Sequence, residues 1–213
     1  MHGQSAQAPL PRGRAPAYTP RMIIRSLLAG VGGLVLGAAG AVFLVFGPAD
    51  FGGVSVGPWR TNIHIGSPDA PDIVRAVVAR RGLLALNRSE TIYFSADADS
   101  EGRSLDSACD YRILFTDRPD ARWWSLTLYA EDDFLPVGGP GAYSVSADDI
   151  SDGEAGFVVS VSQRPAIGHW LSPENAGDFN LTLRLYNPAD AIVDDPSRTV
   201  LPVVERLACG GAS

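Results

Sequence analysis

Residues 123–130 read Trp-Trp-Ser-Leu-Thr-Leu-Tyr-Ala, and residues 179–186 read Phe-Asn-Leu-Thr-Leu-Arg-Leu-Tyr. Both alternate apolar and polar side chains with a period of two, the pattern of a β-strand buried on one face. In the first, Trp124, Leu126 and Leu128 share a face, and Ser125, Thr127 and Tyr129 share the other. In the second, Phe179, Leu181, Leu183 and Leu185 oppose Asn180, Thr182, Arg184 and Tyr186.

Further strands follow on either side. Ile92, Phe94 and Ala96 alternate with Thr91, Tyr93 and Ser95, and polar Asp97–Ser107 forms a turn before a return strand at Tyr111–Phe115. Phe157–Val161 and Val200–Leu207 complete the series, with short alternation also at Trp59–Gly66. Gly138-Gly139-Pro140-Gly141 is the strongest turn signal. One amphipathic helix is expected at about 70–82, ending at Gly82 or running on to Leu86. Ser67-Pro68-Asp69-Ala70-Pro71 carries helix-start chemistry, and Ile73, Val74, Val77 and Val78 fall at helical spacing. The expected class is mainly β: an antiparallel, jelly-roll-like sandwich with one or two short helices, preceded by a single transmembrane helix.

That leading helix comes from residues 23–46. No charged residue lies between Leu27 and Gly47, and about 20 apolar residues suffice to cross a ~30 Å hydrocarbon core. The rival is a cleaved signal peptide ending near Ala39-Gly40-Ala41, but Val42-Phe43-Leu44-Val45-Phe46 prolongs the apolar run past that point. Arg12, Arg14, Arg21 and Arg25 precede the run with no acid among them, which directs the N-terminus to the cytoplasm. The expected organisation is a disordered cytoplasmic tail at 1–22, a span at 23–46, a glycine-rich linker at 47–58 and a periplasmic β-sandwich at 59–208, held at a bacterial inner membrane. Ala29, Gly33, Gly37 and Ala41 place small residues on one helix face, a pattern that permits helix–helix association.

All 17 basic residues are arginine, as a GC-rich genome would favour. The 13 that follow the span face all 24 acids, so this portion carries about −11. An acidic domain without a basic stripe does not suit nucleic acid, whose affinity comes from phosphate neutralisation. Cys109 and Cys209 are the only cysteines; an even count on the exported side predicts a disulfide. Neither a cofactor nor a metal is expected, because Cys/His spacing of the metal-binding kind is lacking.

Three segments together resemble one family, the domain of unknown function 1214. They are Ala121-Arg122-Trp123-Trp124-Ser125-Leu126-Thr127-Leu128-Tyr129, Tyr143-Ser144-Val145 and Phe179-Asn180-Leu181-Thr182-Leu183-Arg184-Leu185-Tyr186-Asn187-Pro188. His169-Trp170-Leu171-Ser172-Pro173 is similar to that family's Asn-Trp-Leu-Pro segment, with His in place of Asn. The resemblance covers about residues 57–207 and is to the membrane-anchored, alphaproteobacterial type. It implies an all-β, jelly-roll-like domain and no catalytic residue. In longer relatives the domain follows a second β-domain, the domain of unknown function 1254, so a partner protein carrying that companion domain is expected.

The polar faces of the two decisive strands supply the candidate ligand-binding residues. Tyr129, Arg184 and Tyr186 lie on them, and Tyr143, His169 and Trp170 could join from loops. Aromatic faces with an arginine and hydroxyls suit sugars and other polar ligands. The plainer reading is an ordinary solvated sheet surface with Arg184 paired to an acid. His64 and His169 with Asp132 or Asp133 are the weaker acid/base or metal candidates, without recognisable spacing. The expected function is therefore a membrane-anchored periplasmic β-domain that binds a partner protein or a cell-envelope ligand. The alternative is an enzyme, or half of one, acting on a carbohydrate-like or small periplasmic substrate.

Overall fold

The computed structural model describes residues 19–46, 53–84, 86–151 and 156–210. The chain divides into two compact units, residues 1–47 and 48–213. Most of the expected N-terminal tail lies outside the described residues.

The first unit contains helix α1, Pro20–Phe46. Pro20 opens it, a position where a missing N–H costs nothing. At 27 residues it is long and apolar enough to cross a membrane, and none of its side chains is buried within the protein. It starts three residues before the expected span, so Arg21 and Arg25 occupy its first turns.

The second unit begins with β1 (Gly53–Val56) and β2 (Trp59–Asn62), a hairpin closed by Gly57 at φ 59°. β1 falls inside the segment expected to be a linker. Its Gly-Val-Ser-Val sequence is too short to show alternation, and only pairing to β2 makes it a strand. Helix α2 spans Asp72–Arg80, shorter at both ends than the expected 70–82. Pro71 is its N-cap, and Gly82 at φ 61° ends it, where a side chain would strain the backbone.

Among the described residues, two 3-10 turns at Ala147–Asp149 and Pro196–Arg198 apart, the remaining elements are β3 (Thr91–Ala96), β4 (Cys109–Phe115), β5 (Ala121–Ala130), β6 (Ser144–Ser146), β7 (Phe157–Val161), β8 (His169–Leu171), β9 (Phe179–Pro188), the short helix α3 (Asp190–Asp194) and β10 (Val203–Cys209). They form two sheets. One has the order β1-β2-β3-β9-β5-β6, the other β10-β4-β7-β8. Every pairing is antiparallel except β7 with β8. His169 and Trp170, expected on a loop, thus belong to a three-residue strand of the smaller sheet, recruited by parallel pairing to β7.

The core lies between the sheets. Ile92, Phe94, Trp124, Leu126, Leu128, Leu181, Leu183 and Leu185 from the larger sheet meet Tyr111, Ile113, Phe115, Phe157, Val159 and Val161 from the smaller. Phe157 stacks on Phe115 at 4.4 Å and on Trp124 at 5.4 Å, which locks the sheets face to face. Each fully buried aliphatic side chain contributes on the order of 1.5–3 kcal/mol. Trp59 Nε1 donates to Pro202 O at 2.7 Å, joining β2 of one sheet to the approach of β10 in the other. Cys109 and Cys209 form the disulfide expected of them, tying β10 to β4.

Candidate functional site

The decisive alternation has a consequence on the outside of the larger sheet. β9 pairs with β3 on one side and β5 on the other, in a register that opposes Arg184 to Tyr93 and Ser125, Thr182 to Ser95 and Thr127, and Asn180 to Tyr129. Because side chains alternate across a sheet, all of these share one face. It is polar and aromatic throughout, and much of it is withdrawn from water: Tyr93, Ser125, Thr127 and Thr182 are all buried.

The face is wired internally. Ser95 Oγ and Thr182 Oγ1 lie 3.2 Å apart, and Thr182 Oγ1 donates to Asn180 Oδ1 at 3.1 Å. Thr127 Oγ1 and Ser144 Oγ are 3.1 Å apart. Arg184 Nη2 donates to Tyr129 Oη at 2.7 Å. The Arg184 guanidinium carbon also sits 5.2 Å from the Tyr129 ring centre and 5.8 Å from that of Tyr93. Burial, with the Tyr186 phenol nearby, pushes the Tyr93 phenol above its ordinary value, against the opposing pull of Arg184.

This face is the floor of a cleft of about 860 Å³. Its floor includes Ser95, Tyr129, Asn180, Thr182 and Arg184, and Arg60 enters from β2. One wall is the end of α2, from Ala79 to Leu83; another is the loop after β5, with Asp133, Phe134 and Leu135. Arg80 Nη1 meets Asp133 Oδ2 at 2.9 Å between these walls. Asp133 holds this position at φ 64°, a left-handed conformation uncommon for a residue with a side chain.

Of the six residues expected to bind a ligand, Tyr129 and Arg184 meet in this cleft. The other four are not among its lining residues. Tyr186 shares the outer face but packs at a tilt against Trp123, with ring centres 5.2 Å apart. Tyr143 is half-buried ahead of β6, where its carbonyl accepts from Leu128 N. His169 stands edge-on to Phe157 at 6.0 Å, and Trp170 Nε1 donates to Ser162 O at 2.9 Å. Both have structural contacts in the smaller sheet. Ser95 and Asn180 also line the cleft, and strand parity places them on the same face as Tyr129 and Arg184. Arg60 and Arg80 carry no comparable signal, because only the tertiary fold brings β2 and α2 to this face.

Asp97, Asp99 and Glu101 alternate before Gly102 in a way that suggests a cation loop. Arginines take up these carboxylates instead. Arg60 pairs with Asp97, and Arg103 with Glu101 at 2.9 Å. Asp99 meets Arg103 at 2.8 Å and Arg206 at 3.1 Å. Among the described residues no group of three His, Cys, Asp or Glu side chains is arranged to hold a metal ion.

The second unit is thus a two-sheet β-sandwich with a polar cleft on the outer face of its larger sheet. Residues 90–190 match the family described as "Protein of unknown function (DUF1214)". The fold is similar to the crystal structure of the VPA0106 protein from Vibrio parahaemolyticus, at 23% identity and a TM-score of 0.53. That match covers 92% of this chain but only 47% of the Vibrio protein, so the chain spans about half the length of that relative. An uncharacterized protein from Burkholderia cenocepacia matches 55% of this chain and 29% of its own, at 17% identity and a TM-score of 0.42. Comparison with curated proteins finds no match.

Proposed function

We propose that this chain is a membrane-anchored binding module of the cell envelope whose outer-sheet cleft holds a small polar ligand. The observation that carries the reading is a concavity of about 860 Å³ floored by Ser95, Tyr129, Asn180, Thr182 and Arg184. Ligand sites for small molecules fall in this size range and place a few polar groups among apolar and aromatic surface. Binding is favoured over catalysis because the lining carboxylates are paired, as Asp97 is with Arg60, or exposed on the rim, as Glu131 and Asp178 are. Asp133, the carboxylate facing Arg80 across the cleft, is committed to that ion pair.

The periplasmic placement is inferred from the four arginines that precede the uncharged run of α1, Arg12, Arg14, Arg21 and Arg25, and is supported by the Cys109–Cys209 bridge, a bond that persists in oxidising compartments. Native mass spectrometry of protein extracted from membranes tests the binding reading. Wild-type chain is expected to carry a co-purifying small molecule that Ser95→Trp, which fills the floor, excludes. Bare wild-type chain would count against it.

A second reading has its own observation, the 47% coverage of the Vibrio protein. A partner in trans carrying the companion domain of unknown function 1254 would correspond to the part of the Vibrio protein outside the match, and pairing of helices through Ala29, Gly33, Gly37 and Ala41 would add a contact within the membrane. Cross-linking in intact cells should then capture a second β-domain protein.

A further inference from the structure

Arg184 is a half-buried cation whose contacts, among the described residues, are with tyrosines and not with a carboxylate. Its neighbours in the cleft differ. Arg60 has Asp97 and Arg80 has Asp133, while Arg81 is exposed to water. Taking a guanidinium partly out of water without a counter-charge is unfavourable. The Tyr93 and Tyr129 rings offset part of that cost, since a cation over an aromatic face is attracted by its quadrupole. They also hold the group in place, and Tyr129 Oη uses one of its five N–H donors. A guanidinium fixed in this way presents a donor fork that matches a carboxylate in two-point geometry.

The surroundings define the rest of the ligand. Ser95, Thr182 and Asn180 set a row of hydroxyl and amide groups along the floor beside Arg184. Glu131 and Asp178 stand exposed on the rim and can accept from hydroxyls. Exposed in salt water, they oppose an anion only weakly, because screening acts over ~8 Å at physiological ionic strength. We propose that the cleft takes a small acidic saccharide, its carboxylate on Arg184 and its hydroxyls along Ser95, Thr182 and Asn180. The assignment rests on the reading of the cleft as a ligand site.

The test is calorimetric titration of the full-length protein in detergent micelles. The probes are cellobiouronate, its neutral counterpart cellobiose, and malonate as a carboxylate without a sugar ring. Cellobiouronate is expected to bind at least about tenfold more tightly than either of the others. Arg184→Gln should weaken cellobiouronate about 10- to 100-fold and leave cellobiose within about twofold, as expected for loss of a charge-assisted pair. Tyr129→Phe keeps the ring but frees the guanidinium, and should cost a smaller share. Arg122→Gln, on an exposed position of β5, is the unaffected control. Unchanged melting temperatures establish that the variants fold. Equal affinity for cellobiose and cellobiouronate, or an Arg184→Gln protein that binds as wild type, would overturn the anionic assignment while leaving a ligand cleft in place. Malonate binding as tightly as the sugar acid would overturn the saccharide. Absence of binding to all three would remove the cleft reading as well.

Discussion

Arg80 Nη1 on α2 lies 2.9 Å from Asp133 Oδ2 in the loop after β5, across 53 residues of sequence. The pair fastens the helix to the loop at the cleft, and both side chains are largely shielded, with 27% and 17% exposure. Asp133→Ala removes the pair and leaves a non-glycine residue at φ 64°. The expected cost is about 1–3 kcal/mol in urea unfolding, with Asp133→Gly recovering the backbone share. Equal stability of the alanine and glycine variants would show that the conformation is unstrained.

Asp99 sets an acid limit on stability. Burial alone would raise its carboxyl, but the Arg103 backbone N–H, the Arg103 guanidinium and the Glu101 backbone N–H hold it below the usual carboxylate range. A depressed folded-state value means stability that is present above the unfolded value near 3.9 and is lost as pH falls through the folded one. Thermal melts between pH 2 and 7 should therefore fall steeply below about pH 4. Asp99→Asn should flatten that limb and cost about 2–4 kcal/mol at neutral pH.

The Cys109–Cys209 bridge spans 100 residues of sequence. Loop-closure arguments put its contribution at up to about 4–5 kcal/mol, and real bridges often deliver less. Dithiothreitol, or Cys109→Ser with Cys209→Ser, should lower the melting temperature. Non-reducing electrophoresis of protein from intact cells should show the oxidised form. A free thiol pair in that sample would argue against an exported domain.

Leu183 is 1% exposed and flanked in the core by Leu181 and Leu185. Leu183→Ala should cost about 3–5 kcal/mol, the range for cavities in close-packed interiors. Its neighbour Thr182 faces the cleft, so Thr182→Val should disturb stability far less than Leu183→Ala and alter ligand binding instead.

Helix α1 makes a fractionation prediction. The full chain should stay with membranes after carbonate extraction, and a reporter fused after Ser213 should be active only outside the cytoplasm. Release by carbonate would exclude a lipid-spanning anchor.

Much of the sandwich could be read from the sequence because β3, β4, β5, β7 and β9 each turn an apolar face to the core, and period-two alternation records that directly. β1 and β8 could not. Gly53–Val56 and His169–Leu171 are strands only because a neighbour pairs with them. The same distinction governs the cleft. Tyr129 and Arg184 share strand parity and proved to share a floor, through a direct β5–β9 pairing that alternation alone did not specify. The wall formed by Arg80 and Asp133 depends on where a helix and a turn land, and no local pattern encodes that.

β9 runs through the middle of the larger sheet, with Leu181, Leu183 and Leu185 turned inward and Asn180, Thr182 and Arg184 turned to the cleft. Two requirements are therefore interleaved along one ribbon of backbone, and adjacent codons answer to different demands. Odd positions are constrained by volume and even positions by chemistry. On the proposed reading of the cleft, the ligand it accepts can be altered by changing every second letter, while the scaffold that presents the cleft stays intact.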